Sequence, residues 1–69
     1  MLVLGRKYVT ATGRQFRAFH YVINKGTPEL YVHLLEDVED KPLPIDHFRP
    51  VSEVERLIQM GAFVHVDER

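Results

Sequence analysis

The residues best suited to acid–base or metal chemistry in this 69-residue chain are His20, His33, His47 and His65, and their spacing argues against both uses. No two of them form an H-x-H or H-x-x-x-H pair. A zinc site would need three or four to converge from distant segments within about 2.1 Å of one point, with Asp46 as a further oxygen donor. Asp46 and His47 are adjacent, but neighbours on a strand point to opposite faces, which uncouples them as an acid–base pair. There is no cysteine to serve as nucleophile or thiolate ligand. Ser52, the one serine, is accounted for by a helix-capping pattern, and no glycine-rich phosphate loop occurs. The reading is therefore no catalytic residue, no metal and no cofactor. A third reading, an enzyme, would need a site built across subunits, because so short a chain has little material for a cavity of several hundred Å³.

Charge is the stronger signal. Up to Pro28 the chain carries Arg6, Lys7, Arg14, Arg17 and Lys25 with no carboxylate. Beyond Pro28 all 10 carboxylates face Lys41, Arg49, Arg56 and Arg69, so the net charge of −1 conceals a division. A division along the chain that persists in space favours an acidic protein surface or a second copy of the chain as partner. The candidate binding residues are Lys7, Arg14, Arg17 and Lys25, with Tyr21 and His33 as aromatic neighbours. Strict alternation puts Arg17 on one face with Phe19 and Tyr21. Cations for phosphates beside rings for bases make nucleic acid the alternative partner. In a homo-oligomer, Arg14 and Arg17 of one copy would meet the acidic run from Glu36 to Asp40 of another, with apolar contacts supplying affinity. The blander expectation is that the rings are core and the cations form rim salt bridges.

These residues must be positioned by short elements. Leu2–Thr10 contains a lead-in and a strand near Lys7–Thr10, closed by a turn in which Gly13 is able to take positive φ. Arg14–Asn24 alternates as a strand, with Phe16, Ala18, His20 and Val22 on one side and Phe19, Tyr21 and Ile23 on the other. Apolar residues on both sides imply a strand that bends between layers or is covered twice. A turn through Lys25 and Gly26 leads to a third strand, Glu29–Leu35, and the acidic run Glu36–Asp40 reads as a solvated loop tip. Ile45–Arg49 is a fourth strand, stopped by Pro50. Ser52 and Glu55 match a capping box for a helix ending at Gly61, and Ala62–Val66 is a last strand. The exposed edges are expected at Ala62–Val66 or Leu2–Thr10.

The expected class is mainly β: a five-stranded antiparallel barrel or half-open roll, one domain over 1–69, with a short helix between strands 4 and 5. The order resembles SH3-like small barrels. The run from Thr27 to Val32 and the run from Phe48 to Leu57 are similar to the second half of the plasmid-encoded type II dihydrofolate reductases. In that family a Val-Gln-Ile-Tyr run contacts substrate. It would fall near Ile45-Asp46-His47-Phe48, where none of its polar pattern is kept, so the resemblance implies the fold and not the activity. A domain of this size buries only about 60% of its unfolded surface, which makes self-association the expected supplement in the absence of disulfides. No apolar run approaches the ~20 residues of a membrane span, and Met1–Leu4 is shorter than a signal peptide, so a cytoplasmic location is expected. Taken together, these features read as a small non-catalytic binding or adaptor module.

The helix tests this frame first. Val54, Leu57 and Ile58 recur at helical spacing and form the stripe expected to dock on the sheet. Leu57→Asp should destabilise the fold by about 3–5 kcal/mol in chemical denaturation; a folded variant of unchanged stability would place the stripe outside the core.

Overall fold

The computed structural model describes residues 1–23 and 25–66. Its elements are β1 (Lys7–Thr10), β2 (Gln15–Ile23), β3 (Leu30–Asp37), β4 (Ile45–Pro50), α1 (Val51–Gln59) and β5 (Phe63–Val66). All pairings are antiparallel and give one five-stranded sheet in the order β4-β3-β2-β1-β5. The edges are β4 and β5. The expected edge at β5 is therefore present, while β1 is enclosed between β2 and β5 because the helix carries the chain across the sheet. No helix among the described residues is long and apolar enough to cross a membrane.

The turns follow from local chemistry. Gly13 has φ +88° and closes the β1–β2 connection, with the Gly13 amide donating to the Thr10 carbonyl at 2.9 Å. Arg14 N–H donates to Thr10 Oγ1 at 3.1 Å, so the turn's polar groups are satisfied within it. At the other end of the chain, α1 stops at Gly61, whose φ is +77°. The Gly61 amide donates to Ile58 at 3.1 Å and the Ala62 amide to Leu57 at 2.9 Å, the two bonds of a Schellman motif.

The start of α1 departs from the capping-box expectation. Pro50 is the N-cap, and no side chain among the described residues caps the helix. Glu55 instead accepts the backbone N–H of Leu2 at 2.6 Å, with the N-terminal ammonium 4.0 Å away. The reason is long-range. Leu2 is buried in the core, so its amide needs an acceptor there, and Glu55 answers that demand rather than the helix's own first turn. The Val3 amide is met likewise by the Tyr8 hydroxyl at 3.0 Å, which staples the lead-in to β1.

The core lies between the helix and one face of the sheet. Leu2, Tyr8, Phe16, Ala18, Val32, Leu34, Val54 and Phe63 form it, and Val51, Leu57 and Ile58 pack against it. The stripe on α1 thus docks as expected. Tyr8 stacks on Phe63 with centroids 5.0 Å apart and planes 8° apart, joining the two strands nearest the β5 edge. In β5 it is Phe63 that turns inward, while Val64 is exposed.

A second correction concerns the end of β3. The acidic run does not begin the loop: β3 continues to Asp37, and Glu36 is buried opposite Phe16 on β2 and Ile45 on β4. Alternation from Val32 through Leu34 carries Glu36 to the inner face, and polarity alone does not release it.

Gly61 gives a clean test because no atom lies within 4 Å of an added Cβ. Gly61→Ala should lower stability by about 1–2 kcal/mol purely through backbone conformation, measured by urea titration, whereas Gly61→Asn should lower it less. Equal stability of all three chains would contradict the left-handed cap.

Candidate functional site

The register of β2 against β3 decides which of the predicted residues meet. Phe16, Arg17 and Ala18 pair with Glu36, Leu35 and Leu34, and His20, Tyr21 and Val22 pair with His33, Val32 and Tyr31. Between them lies a β-bulge at Phe19, one residue with no counterpart on β3. An extra residue reverses the alternation, because side chains change face every position. Tyr21 therefore shares the inner side with Val32, and His20 joins Arg17 on the outer side. This corrects the expectation that Arg17 and Tyr21 share a face. Phe19 does lie on the outer side, where its ring meets the rings of His20 and His33.

The outer face can be built row by row. Lys7 is opposite Arg17, Arg17 opposite Leu35, and Leu35 opposite Asp46. Arg17 Nη1 donates to the Gly5 carbonyl at 2.7 Å, which fixes the guanidinium against the lead-in. Lys7 Nζ lies 3.5 Å from Asp37 Oδ2. The next row is His20, His33 and Phe48. His33 stacks on Phe48 with centroids 4.6 Å apart and planes 12° apart, and meets the edges of Phe19 and His20 at 5.6 and 5.0 Å. His33 Nε2–H donates to Asp46 Oδ1 at 2.7 Å, while Nδ1 is enclosed without a partner among the described residues. Phe19 and Phe48 remain 55% and 49% exposed, two rings with one side packed and one side open. Lys25 borders the same face, lining a shallow depression of 290 Å³ with Val22, Tyr31 and Phe48.

Arg14 lies elsewhere. It shares the alternation of Phe16 and so turns to the inner side, where its guanidinium sits 5.1 Å over the Phe16 ring. Arg14 Nε and Nη2 donate to the two oxygens of Glu36 at 2.8 and 2.9 Å, and His47 Nε2–H donates to Glu36 Oε1 at 2.8 Å. The Arg14 hydrogen bonds hold the Glu36 carboxyl well below the ordinary carboxylate range, at about 2. Burial pushes the other way, and the His47 bond and both positive charges add to the lowering. The same bonds raise the Arg14 guanidinium. The expected meeting of Arg14 with the acidic run of another copy is thus replaced by a bidentate pair within one chain.

Of the six residues singled out, Lys7, Arg17 and His33 share the outer face, Lys25 borders it, and Arg14 and Tyr21 lie on the inner side. Residue-type reasoning gave Phe48 no role in a site, weighed Asp46 as a metal ligand or acid–base partner, and placed Phe19 as a ring beside Arg17. The signal available was the strand β2 itself, whose apolar residues occupy both alternating sets, as a change of face requires. Among the described residues no three histidines or carboxylates converge as a metal site. Asp46 and His47 do diverge, each pairing with a different partner, His33 outside and Glu36 inside. The outer face thus presents a Lys7–Asp37 pair, an Arg17 guanidinium held on the Gly5 carbonyl, and the open rings of Phe19 and Phe48.

Glu36→Gln should lower stability by about 2–4 kcal/mol near neutral pH, since Arg14 and His47 lose their charged acceptor. A depressed carboxyl contributes stability that is complete above the ordinary carboxylate range and is lost as pH falls toward its folded value. The difference between wild type and variant should therefore shrink from pH about 5 down to about 2 in urea titrations; a gap independent of pH would contradict the assignment. No family model, curated protein or solved structure matches this chain.

Proposed function

We propose that the chain is a non-catalytic binding module that recognises a second copy of itself through the outer sheet face. One observation carries the reading: Lys7 and Arg17 stand on the β1–β2 half of that face, and Asp37 and Asp46 on the β3–β4 half. A twofold rotation lays the cationic half of one copy on the acidic half of the other, the pattern an isologous interface requires. Phe19, Phe48 and the His33 stack lie between the charged halves. They provide the apolar centre that affinity needs, while the charges select orientation. The small core of a 69-residue chain gives such pairing a stabilising role.

The same face bears on the nucleic-acid reading. Arg17 beside open rings suits stacked bases, but Asp37 and Asp46 on the same surface repel phosphate. An acidic protein partner meets the same objection. Self-recognition uses both signs of charge, and the intrachain contacts Lys7–Asp37 and His33–Asp46 would be shared with the second copy.

Multi-angle light scattering checks the proposal. The wild type should show a concentration-dependent mass approaching twice 8.1 kDa. Phe48→Glu should weaken association at least about tenfold, as expected for a central aromatic anchor, and leave the fold intact by circular dichroism. A wild type that stays at monomer mass at every concentration would refute self-recognition. Salt-sensitive retention on single-stranded DNA, lost in Arg17→Glu, would favour the nucleic-acid reading instead.

A further inference from the structure

On the inner side, away from the proposed interface, a groove of 380 Å³ opens between α1, the β1–β2 turn, β4 and the start of β5. Its floor is apolar: Phe16, Leu34, Val54, Leu57 and Phe63 reach it from three strands and the helix. That volume is at the lower end of the ~300–1,000 Å³ typical of small-molecule sites. The polar groups sit on the rim and are unequal. Arg14, His47 and Arg49 line the sheet side, and Glu53 on α1 is the carboxylate among the lining residues.

The two arginines are held differently. Arg14 is fixed by its bidentate pair with Glu36 and keeps Nη1 clear of that pair. Arg49 Nη1 donates to the Phe48 carbonyl at 3.3 Å, and its guanidinium meets no carboxylate among the described residues. A backbone carbonyl does not neutralise a cation. Arg49 therefore presents, at the mouth of an apolar groove, a guanidinium with no ion-pair partner among the described residues.

We infer that this groove binds a small amphipathic anion, a free aliphatic or aromatic carboxylate whose apolar body rests on the floor and whose charge pairs with Arg49. Phe16 and Phe63, packed 5.7 Å apart at centroids, supply a ring-lined base for that body. The Arg14 guanidinium gives a second donor already oriented by Glu36, so little ordering is left to the ligand. A neutral apolar molecule of the same shape leaves Arg49 unmatched. A dianion meets Glu53 across the groove. The preference for one negative charge thus rests on the Arg49 guanidinium locally, with Glu53 opposing any second charge.

The experiment is a titration of the protein with octanoate, followed through the methyl resonances of Leu34, Val54 and Leu57. These should shift and saturate. Octan-1-ol should bind at least about tenfold more weakly, as should octanoate to Arg49→Glu, the loss expected when one charge-assisted contact is removed. Arg56→Glu, on the same helix as Leu57 but outside the groove, should bind octanoate like wild type. Arg49→Gln repeats the test should Arg49→Glu disturb β4. The inference is overturned by equal binding of octanol and octanoate or by unchanged affinity in both Arg49 variants. Shifts confined to Val9 and Val64 on the opposite face, or no saturation at all, would overturn it equally. Because Phe48→Glu spares the groove, its octanoate binding should persist, which separates this site from the fate of the self-recognition proposal.

Discussion

Glu36 is a carboxylate inside the sheet, and the arrangement of the other strands depends on how its charge is met. Arg14, leading into β2, and His47, on β4, both donate to it, so one acidic group on β3 is tied to both neighbouring strands. A one-residue slip of either strand would leave the carboxylate buried and unpaired, which is far more unfavourable than losing a surface pair. The register of three strands is therefore fixed by charge as well as by the apolar core. Fixed register determines which side chains reach each face: Phe16, Leu34 and Val32 inside, Arg17, Leu35 and His33 outside.

That framework was partly legible in the sequence. The turns at Gly13 and Gly61, the stop at Pro50 and the stripe Val54–Leu57–Ile58 rest on local chemistry, and local chemistry survives folding. Two features were not legible because they answer distant demands. Ser52 and Glu55 have the residue types of a capping box, yet Glu55 is drawn to the amide of Leu2, from the other end of the chain. Glu36 reads as one member of an acidic run, and only its alternation with Val32 and Leu34 places it inside. The bulge at Phe19 lies between these cases. Its cause, apolar residues in both alternating sets of β2, is visible in the residues, but the position of the reversal depends on pairing with β3.

The bulge also redistributes the candidate residues. It separates Tyr21 from Arg17 and brings Phe19, His20 and His33 into one cluster, with Phe48 stacked beneath. The charge division along the chain reappears across one face, with Lys7 and Arg17 on one half and Asp37 and Asp46 on the other, bridged within the chain by the Lys7–Asp37 pair. Arg14 is withdrawn from that face by Glu36. The opposite side presents a different kind of surface, an apolar groove with cations at its rim. The two faces share a backbone and no side chain, so the two proposed sites stand on separate residues.

Isotope-filtered nuclear Overhauser spectroscopy on a mixture of labelled and unlabelled chains reads the relation between two copies most directly. Contacts are predicted between the ring protons of Phe19 and Phe48 in one copy and the side chains of Lys7 and Arg17 in the other. Absence of any contact between copies, or contacts arising from Leu57 and Phe63 instead, would contradict the account.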